Sequence, residues 1–261
     1  MIVAGIDIGA ATAKAVILRG DSISGFAIVP TGYDVSKASE SVIRDVVKKS
    51  RCSIDEVAFI VSTGYGRNAV SFSNKAITEI ICHASGVNWM FREARTVIDI
   101  GGQDSKVMSI DDKGKVYNFV MNDKCAAGTG RFLEVMSEVL DVGINNMGSI
   151  SLQSTEPCSI SSTCTVFAES EMVTLRAQGK SRENIIAGIH KAMAHRVAIM
   201  GKSVGFRKKV VFTGGVAKNE GVKKALEDEL NLELIVPEEP QIVGALGAAL
   251  LARAEEARKS G

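Results

Sequence analysis

The chain has 261 residues, of which 46% are hydrophobic and 23% are charged, and its formal net charge is +1. This composition is ordinary for a globular chain of one large or two small domains, and it argues against a nucleic-acid groove or a long disordered tail. The apolar N-terminus lacks a basic leader and has Asp7 inside its apolar run, and no stretch is long and apolar enough to span a membrane, so we expect a cytoplasmic protein.

The first half of the chain is predicted to begin with three strands. Apolar residues at helical spacing then predict a helix from Ser39 to Lys49. A short strand over Val57 to Val61 ends in a turn-like segment, Ser62 to Gly66, and a second helix is predicted from Ile77 to Trp89.

The second half starts with a strand over Thr96 to Ile100 and a hairpin whose turn is Asp111 to Gly114. Helices and strands then alternate, which predicts an α/β fold. The predicted elements are helices over 132–140, 166–177, 183–204, 222–230 and 244–259, and strands over 209–213 and 233–236.

An internal repeat organises the chain. Ile6-Asp7-Ile8-Gly9 recurs as Ile98-Asp99-Ile100-Gly101, and Lys14 and Lys106 follow at the same distance within a second apolar strand. A repeat of this length indicates duplicated domains and not a solenoid. We expect an N-terminal subdomain over 1–95, joined by the last helix over 244–261, and a C-terminal subdomain over 96–243.

The two Asp-x-Gly turns are the candidate phosphate-binding elements. Glycine lets the backbone approach phosphate, and the N–H groups of such a turn can bind an anion. Asp7 at the end of a buried strand is suited to hold Mg²⁺ through water. The first turn contributes Gly9, Ala10, Ala11, Thr12, Ala13 and Lys14, and the second contributes Gly101, Gly102 and Gln103.

A third element is an apolar strand that ends in Gly214-Gly215 and leads into a helix. Paired glycines allow a base or ribose to lie against the backbone. Neither a P-loop nor a dinucleotide-binding G-x-G-x-x-G turn after a strand is present. The nucleoside side of the site is therefore predicted to include Gly214 and Gly215, with Lys218 and Gln241 nearby.

The five cysteines do not form CxxC pairs, and their odd number argues against a disulfide framework. Cys125 and Cys164 precede predicted helices, where the helix dipole stabilises a thiolate. A [4Fe–4S] cluster normally takes four thiolates, so two cysteines per chain suggest a cluster shared across a homodimer. The alternative is that both are small buried residues. Cys52, Cys82 and Cys158 have no matching context and are predicted to be ordinary buried residues, with a spare ligand role as the alternative for Cys158, which is near Cys164.

Several blocks of the sequence together resemble the superfamily of actin, heat-shock-chaperone ATPases and sugar kinases (ASKHA). Within it, they are similar to the BadF/BadG-type ATPases, above all the activators of 2-hydroxyacyl-CoA dehydratases. The blocks span nearly the whole chain and are 5–9, 61–68, 97–104, 121–132, 161–171 and 244–249.

This resemblance implies two duplicated α/β subdomains with ATP in the cleft between them. It implies an ATPase that couples hydrolysis to one-electron transfer under anaerobic conditions, with Mg²⁺ and one [4Fe–4S] cluster per homodimer. Ferredoxin or flavodoxin would be the donor and an iron–sulfur dehydratase or reductase the acceptor. Cys125 and Cys164 would be the cluster ligands, Asp7 and Asp99 would position Mg²⁺ and phosphate, and Gln103 would orient the attacking water.

One departure from the family pattern and three alternatives remain. Relatives often carry Ser-Thr after the first glycine, where this chain has Ala10-Ala11, but backbone N–H groups can still bind phosphate. The acceptor could instead be a benzoyl-CoA reductase or a double-cubane-cluster protein. The other possibilities are a small-molecule kinase of the same fold, with Asp99 or a nearby carboxylate as base for a sugar hydroxyl, and a regulatory nucleotide-binding module.

Overall fold

The computed structural model describes residues 1–161, 164–207 and 209–259. Five residues lie outside the described residues: Ser162, Thr163, Lys208, Ser260 and Gly261. The first two belong to the 161–171 block, and the last two belong to the predicted segment over 244–261. The chain divides into two compact units. Unit 1 comprises residues 1–95, 110–117 and 238–261, and unit 2 comprises 96–109 and 118–237. Residues 110–117 and 238–243, which the sequence assigned to the second subdomain, lie in unit 1.

Unit 1 is a five-stranded sheet with helices on its faces. Strand β1 is parallel to β4 and antiparallel to β2, and the strand order is β3-β2-β1-β4-β5. Its elements are β1 (Ile2–Ile8), β2 (Thr12–Arg19), β3 (Ser22–Pro30), α1 (Val35–Lys49), β4 (Val57–Thr63), β5 (Lys75–Ala76) and α2 (Glu79–Met90).

Unit 2 contains the second sheet and most of the helices. Its elements are β6 (Thr96–Ile100), β7 (Ser105–Ile110), β8 (Val116–Asn122), α3 (Gly130–Val139), α4 (Met147–Ser151), α5 (Thr165–Ala177), α6 (Arg182–Lys202), β9 (Val210–Thr213), α7 (Glu220–Leu230) and β10 (Leu234–Ile235). The strand order is β10-β9-β6-β7-β8. The last helix, α8 (Val243–Lys259), belongs to unit 1.

Alternation of side chains explains how the unit 1 sheet is covered on both faces. Ala4 and Ile6 of β1 pack with α1 residues such as Val42, whereas Val3 packs with α8 residues such as Leu246. Gly5 is required between them, because a Cβ at this position would collide with the α8 backbone at Ala245. β1 is therefore buried along its whole length, and this fixes its C-terminal end, where Asp7 lies.

One apolar cluster forms the core of unit 2. Side chains of β6 and β9, including Ile98 and Phe212, pack with Phe132 of α3, Ile189 of α6 and Leu226 of α7. The predicted helices over 132–140, 166–177, 183–204 and 222–230 are all confirmed, with small differences at their ends. Helix α4 and strand β5 were not predicted, because two to five residues are too few to show a period.

Candidate functional site

The first Asp-x-Gly turn joins β1 to β2 in unit 1. Asp7 pairs in register with Lys14 on the neighbouring strand, and their Oδ2 and Nζ atoms are 3.6 Å apart. Asp7 is only 5% exposed. Among the described residues no group donates a hydrogen bond to its carboxylate within normal geometry, so the carboxylate has capacity left to accept bonds from metal-bound water.

Thr31 braces this turn from the side. Its hydroxyl donates to the Gly9 carbonyl (2.7 Å) and its N–H donates to the Ala11 carbonyl (3.0 Å). Within the described ranges, the N–H groups of Ala10 and Ala11 donate to no protein acceptor, so they are available to a phosphate oxygen. Thr12 is half-buried beside them, whereas Ala13 is fully buried within β2.

Two glycines, Gly64 after β4 and Gly244 in α8, allow the backbone to lie close to the Asp7 carboxylate. Gly64 has φ +85°, and a Cβ there would lie 2.5 Å from Asp7 Oδ1. Gly244 at the start of α8 is similarly close, since its Cβ would be 3.0 Å from Asp7 Oδ2. A larger residue at Gly64 would displace the Asp7 carboxylate, and one at Gly244 would crowd it.

The second turn, in unit 2, binds its aspartate more tightly. Lys106 is cross-strand partner to Asp99 and its Nζ lies 3.1 Å from Asp99 Oδ2 and 2.8 Å from Asp104 Oδ2. All three side chains are almost fully buried. A buried ammonium between two carboxylates is strongly held, because removing it would leave unpaired buried charge.

In each unit a further strand lies beside the Asp-x-Gly hairpin, β4 in unit 1 and β9 in unit 2. The sequence repeat alone did not reveal this similarity. Thr63 on β4 is the parallel neighbour of Asp7, and Thr213 on β9 is the parallel neighbour of Asp99. Each threonine is followed by a glycine with positive φ, +85° at Gly64 and +88° at Gly214. The common Thr-Gly pair at a strand end was the available signal. The two units therefore share a three-strand motif.

The Thr213 hydroxyl donates to Asp99 Oδ1 at 2.8 Å, so both oxygens of this carboxylate have protein donors. Thr63 differs. Its hydroxyl is buried without a hydrogen-bond partner among the described residues, and its neighbour is the thiol of Cys82, a weak partner.

The Gly101–Gly102 loop is joined directly to helix α3. The N–H groups of Gly130 and Arg131 at the helix start donate to the carbonyls of Gly101 (2.8 Å) and Gly102 (2.7 Å). The next residue, Gln103, is exposed, and Asp104 is buried. A displacement of this loop therefore acts on the first turn of α3.

The double-glycine segment forms a 3₁₀ turn over Gly215–Lys218 between β9 and α7. Gly214 is half-buried, while Gly215 and Lys218 are exposed. Gln241 lies just before α8 in unit 1, where its N–H donates to Glu239 Oε1 (3.4 Å). The predicted nucleoside-side residues are thus divided between the two units.

Cys125 and Cys164 both lie ahead of helices of unit 2. Asn122 fixes the Cys125 segment, because its amide donates to the Cys125 carbonyl (2.8 Å) and its Oδ1 accepts from the Cys125 N–H (3.2 Å). Cys125 is half-buried five residues before α3 begins. Cys164 is exposed and is the N-cap residue of α5.

The helices that follow these two cysteines pack against each other with adjacent C-terminal ends. Arg176, near the end of α5, donates from Nη1 to the carbonyl of Val139, the last residue of α3, at 2.6 Å. Both cysteines therefore lie at the ends of the helix pair opposite to this contact.

The other cysteines occupy different surroundings. Cys82 and Cys158 are buried, and Cys52 is half-buried. Burial raises the pKa of the Cys82 thiol to about 12 and also raises the pKa of Cys52. Both thiols are therefore neutral at pH 7, whereas iron binds the thiolate.

A cavity of about 590 Å³ in unit 2 adjoins the Cys125 segment. Asp123, Lys124 and Gly128 line one side and Arg196 of α6 lines the other. A Cβ at Gly128 would lie 3.2 Å from Arg196 Cδ, so α6 packs directly against this segment.

Metal-binding clusters and membrane-crossing helices are both absent from the described ranges. No three His, Cys, Asp or Glu side chains among these residues are grouped so as to hold a metal ion. None of the helices in the same part of the chain combines the length and apolar character that a membrane crossing requires.

Comparison with known proteins agrees with the resemblance predicted from the sequence. A model of the BadF/BadG/BcrA/BcrD ATPase family matches residues 4–252. The chain is 46% identical over 261 residues to a 2-hydroxyisocaproyl-CoA dehydratase activator from Clostridioides difficile, covering 100% of this chain and 97% of the relative. It is 34% identical to one of the chains of benzoyl-CoA reductase from Thauera aromatica, covering 95% of this chain and 92% of the relative.

Solved structures give the same result. The activator of the 2-hydroxyisocaproyl-CoA dehydratase from Clostridium difficile with bound ADPNP superimposes with a TM-score of 0.95 at 45% identity, covering 100% of this chain and 97% of that one. An ROK-family glucokinase from Streptomyces griseus shares the fold alone, with a TM-score of 0.60 at 13% identity over 97% and 100% of the two chains. The predicted actin- and sugar-kinase-like α/β fold is confirmed.

Proposed function

The chain belongs to the BadF/BadG/BcrA/BcrD ATPase family, and we propose that it is a cytoplasmic, ATP-dependent activator that passes low-potential electrons to a partner enzyme. Its acceptor would be of the 2-hydroxyacyl-CoA dehydratase type. Identity to a dehydratase activator (46%) exceeds identity to the benzoyl-CoA reductase chain (34%), which favours the first acceptor over the second. A ferredoxin or flavodoxin would be the electron donor.

The arrangement of α3 and α5 is the observation that carries this proposal. Each helix has a cysteine at or shortly before its N-terminal end, and the two C-terminal ends are in contact. Cys164 is exposed and Cys125 is half-buried, so both sulfurs suit a ligand that is shared with a second chain. Two copies would supply four thiolates, the number that a [4Fe–4S] cluster normally takes, and such a cluster carries one electron at a time.

The nucleotide-binding residues are proposed from the turns. The N–H groups of Ala10 and Ala11 would donate to phosphate oxygens of ATP, and Lys14 would add positive charge. Asp7 would accept hydrogen bonds from water on Mg²⁺. In unit 2, Gly101 and Gly102 would approach phosphate, Gln103 would orient the attacking water, and Asp99 would hold this loop through its bonds to Lys106 and Thr213.

The contacts of α3 support a link between ATP and the cysteines. The Gly101 and Gly102 carbonyls accept from the first N–H groups of α3, only a few residues after Cys125. A loop that moves when phosphate binds or leaves would therefore shift this helix end. The Ala10-Ala11 departure from the family pattern does not affect this link, because those residues act through backbone groups.

The test is iron content and spectroscopy on protein purified without oxygen. We expect about four iron and four sulfide per dimer, and a paramagnetic signal after dithionite reduction. Cys125→Ser and Cys164→Ser should each lose the iron while keeping ATPase activity. Cys52→Ser, a half-buried cysteine of unit 1, is the matched control and should retain the iron. A protein that hydrolyses ATP but takes up no iron on reconstitution would refute the proposal and favour a kinase or a regulatory module.

A further inference from the structure

Helix α6 touches both the double-glycine turn and the segments that carry Cys125 and Cys164. We propose that His190 on α6 is a positioning residue that couples the Gly214–Asn219 turn to the Cys164 segment. This inference rests on the proposed function in one respect, that the turn responds to nucleotide. It adds a route from the nucleotide site to the Cys164 segment that does not pass through α3.

The imidazole of His190 is held by hydrogen bonds at both nitrogens. We assign Nδ1 as the donor in the contact of 3.0 Å between His190 Nδ1 and Ser151 Oγ, because the Ser151 hydroxyl can give its single proton to the Gly148 carbonyl at 2.8 Å. Nε2 is then an acceptor. Burial lowers the pKa of His190 to about 4, which agrees with a neutral ring.

Asn219 is the partner of Nε2. Its Oδ1 accepts from the Val222 N–H at 3.0 Å and so caps α7, which turns its amide Nδ2 toward His190 Nε2 at a long 3.5 Å. The Asn219 N–H closes the 3₁₀ turn by donating to the Val216 carbonyl (2.9 Å). Asn219 is thus at once the end of the turn, the cap of α7 and the neighbour of α6.

The other end of α6 holds the chain that leads to Cys164. The Asn184 carbonyl accepts from the Cys158 N–H (2.9 Å), and the Asn184 side chain accepts from Ser154 Oγ (2.7 Å). Gly188 lies so close to the Cys158 carbonyl that a Cβ would collide with it. This segment therefore follows α6 when the helix moves.

The segment is also joined to α5, the helix capped by Cys164. Ser161 donates from its N–H and its hydroxyl to Glu171 Oε1, both at 3.0 Å. The route from the double-glycine turn thus runs through Asn219, His190 and α6 to Ser161 and α5, by hydrogen bonds and backbone contacts throughout. A close-packed core transmits such a shift, because it has no free space to absorb it.

Two substitutions separate the two hydrogen bonds of His190. His190→Asn places an amide nitrogen near the Nδ1 position and can keep the bond to Ser151, but its side chain is too short to contact Asn219. His190→Gln places an amide oxygen near the Nε2 position and can keep the bond from Asn219. Each variant loses one buried bond, so a merely structural role predicts similar melting temperatures and similar behaviour of the two.

The readout is the rate at which iodoacetamide alkylates Cys164 in the full-length, iron-free chain, measured by mass spectrometry with no nucleotide, with ADP and with a non-hydrolysable ATP analogue. Cys158, which is 8% exposed, is the internal reference. We expect nucleotide to change the Cys164 rate about fivefold or more in the native protein. His190→Gln should keep this response and His190→Asn should lose it. His195→Gln, on the same helix but bonded to Glu229 at the surface, is the control and should behave as native.

Three results would overturn the coupling role. They are an unchanged nucleotide response in His190→Asn, an equal loss in both His190 variants, and no response in the native protein although it hydrolyses ATP. The outcome for the cluster is separate. A protein that shows the Cys164 response but binds no iron would refute the proposed cluster and support the coupling role of His190. A protein that binds iron but shows no response would support the cluster and refute the coupling role.

Discussion

The hairpins β1–β2 and β6–β7 have the same backbone arrangement but differ in the contacts of the aspartate carboxylate. Among the residues that the structure describes, the Asp7 carboxylate has a single ion-pair partner, Lys14 at 3.6 Å, whereas Asp99 has Lys106 at 3.1 Å and the Thr213 hydroxyl at 2.8 Å. The two hairpins thus have the same strand pairing, but their carboxylates differ in their capacity to bind a further group. The unit 1 carboxylate can still accept from water or metal-bound water, while the unit 2 carboxylate is part of a buried network.

Replacing the lysine of each hairpin by methionine should give the largest contrast. Lys106→Met leaves the buried Asp99 and Asp104 carboxylates without their shared cation, so we expect a loss of about 3–5 kcal/mol in the free energy of unfolding. Lys14→Met removes a longer contact, 3.6 Å, from a single buried carboxylate, so we expect a smaller loss of about 1–2 kcal/mol. Urea denaturation of both variants measures this, and equal losses would show that the two hairpins are equivalent in stability.

Asp7→Asn tests the availability of the unit 1 carboxylate. Because asparagine keeps the shape but not the charge, we expect kcat for Mg·ATP hydrolysis to fall by about 10²–10³-fold with little change in melting temperature. The iron content of the protein, which the proposed cluster would supply, should not change. Asp34→Asn, an exposed cap of α1 in the same unit, is the control for charge alone. Turnover at the native rate in Asp7→Asn would remove Asp7 from the catalytic residues.

The two strand-end threonines allow a third comparison. Thr213→Val removes the hydroxyl that donates to the buried Asp99, and loss of a hydrogen bond to a charged group should cost about 1.5–3 kcal/mol. Thr63→Val removes a buried hydroxyl that has no hydrogen-bond partner among the described residues, so it should be nearly neutral. Thermal or urea unfolding measures both changes, and a larger cost at Thr63 than at Thr213 would contradict the structural difference.

The smallest expected effect is a decrease in the free energy of unfolding when the pH is lowered. Burial lowers the pKa of His190 from 6.5 to about 4, so the unfolded chain takes up this proton at a higher pH than the folded one. The stability contributed by the neutral ring is therefore present above pH 6.5 and is lost as the pH falls from 6.5 toward 4, by about 2 kcal/mol between pH 7 and pH 5.

His190→Gln should remove this part of the pH dependence, and its unfolding free energy should fall less on acidification than that of the native protein. Parallel pH profiles of the two proteins would show that His190 does not titrate as its burial requires. Unit 1 provides the contrast, because the lowered pKa values of Asp34 and Asp111 confine their effect to pH values below about 4.

The elements of the fold could largely be predicted from the sequence. The periods of the apolar residues gave α1, α3, α5, α6 and α7, and the repeated Asp-x-Gly strings gave both hairpins, because helix and hairpin signals are local. The cysteine-bearing helix ends were found in the same way. The roles of all the predicted site residues remain predictions. Among them, Gln103 is exposed and Gln241 lies in unit 1.

The sequence alone is enough to predict that Asp7 and Asp99 lie near the ends of buried strands and that Cys125 and Cys164 precede helices. The contacts of Thr213 with Asp99, of Asn219 with His190, and of Arg176 in α5 with Val139 in α3 are visible only in the folded chain. These two kinds of feature differ in the sequence separation of the residues involved. Strand and helix periods are set by neighbouring residues, whereas these contacts depend on which distant elements pack together to bury the most apolar surface.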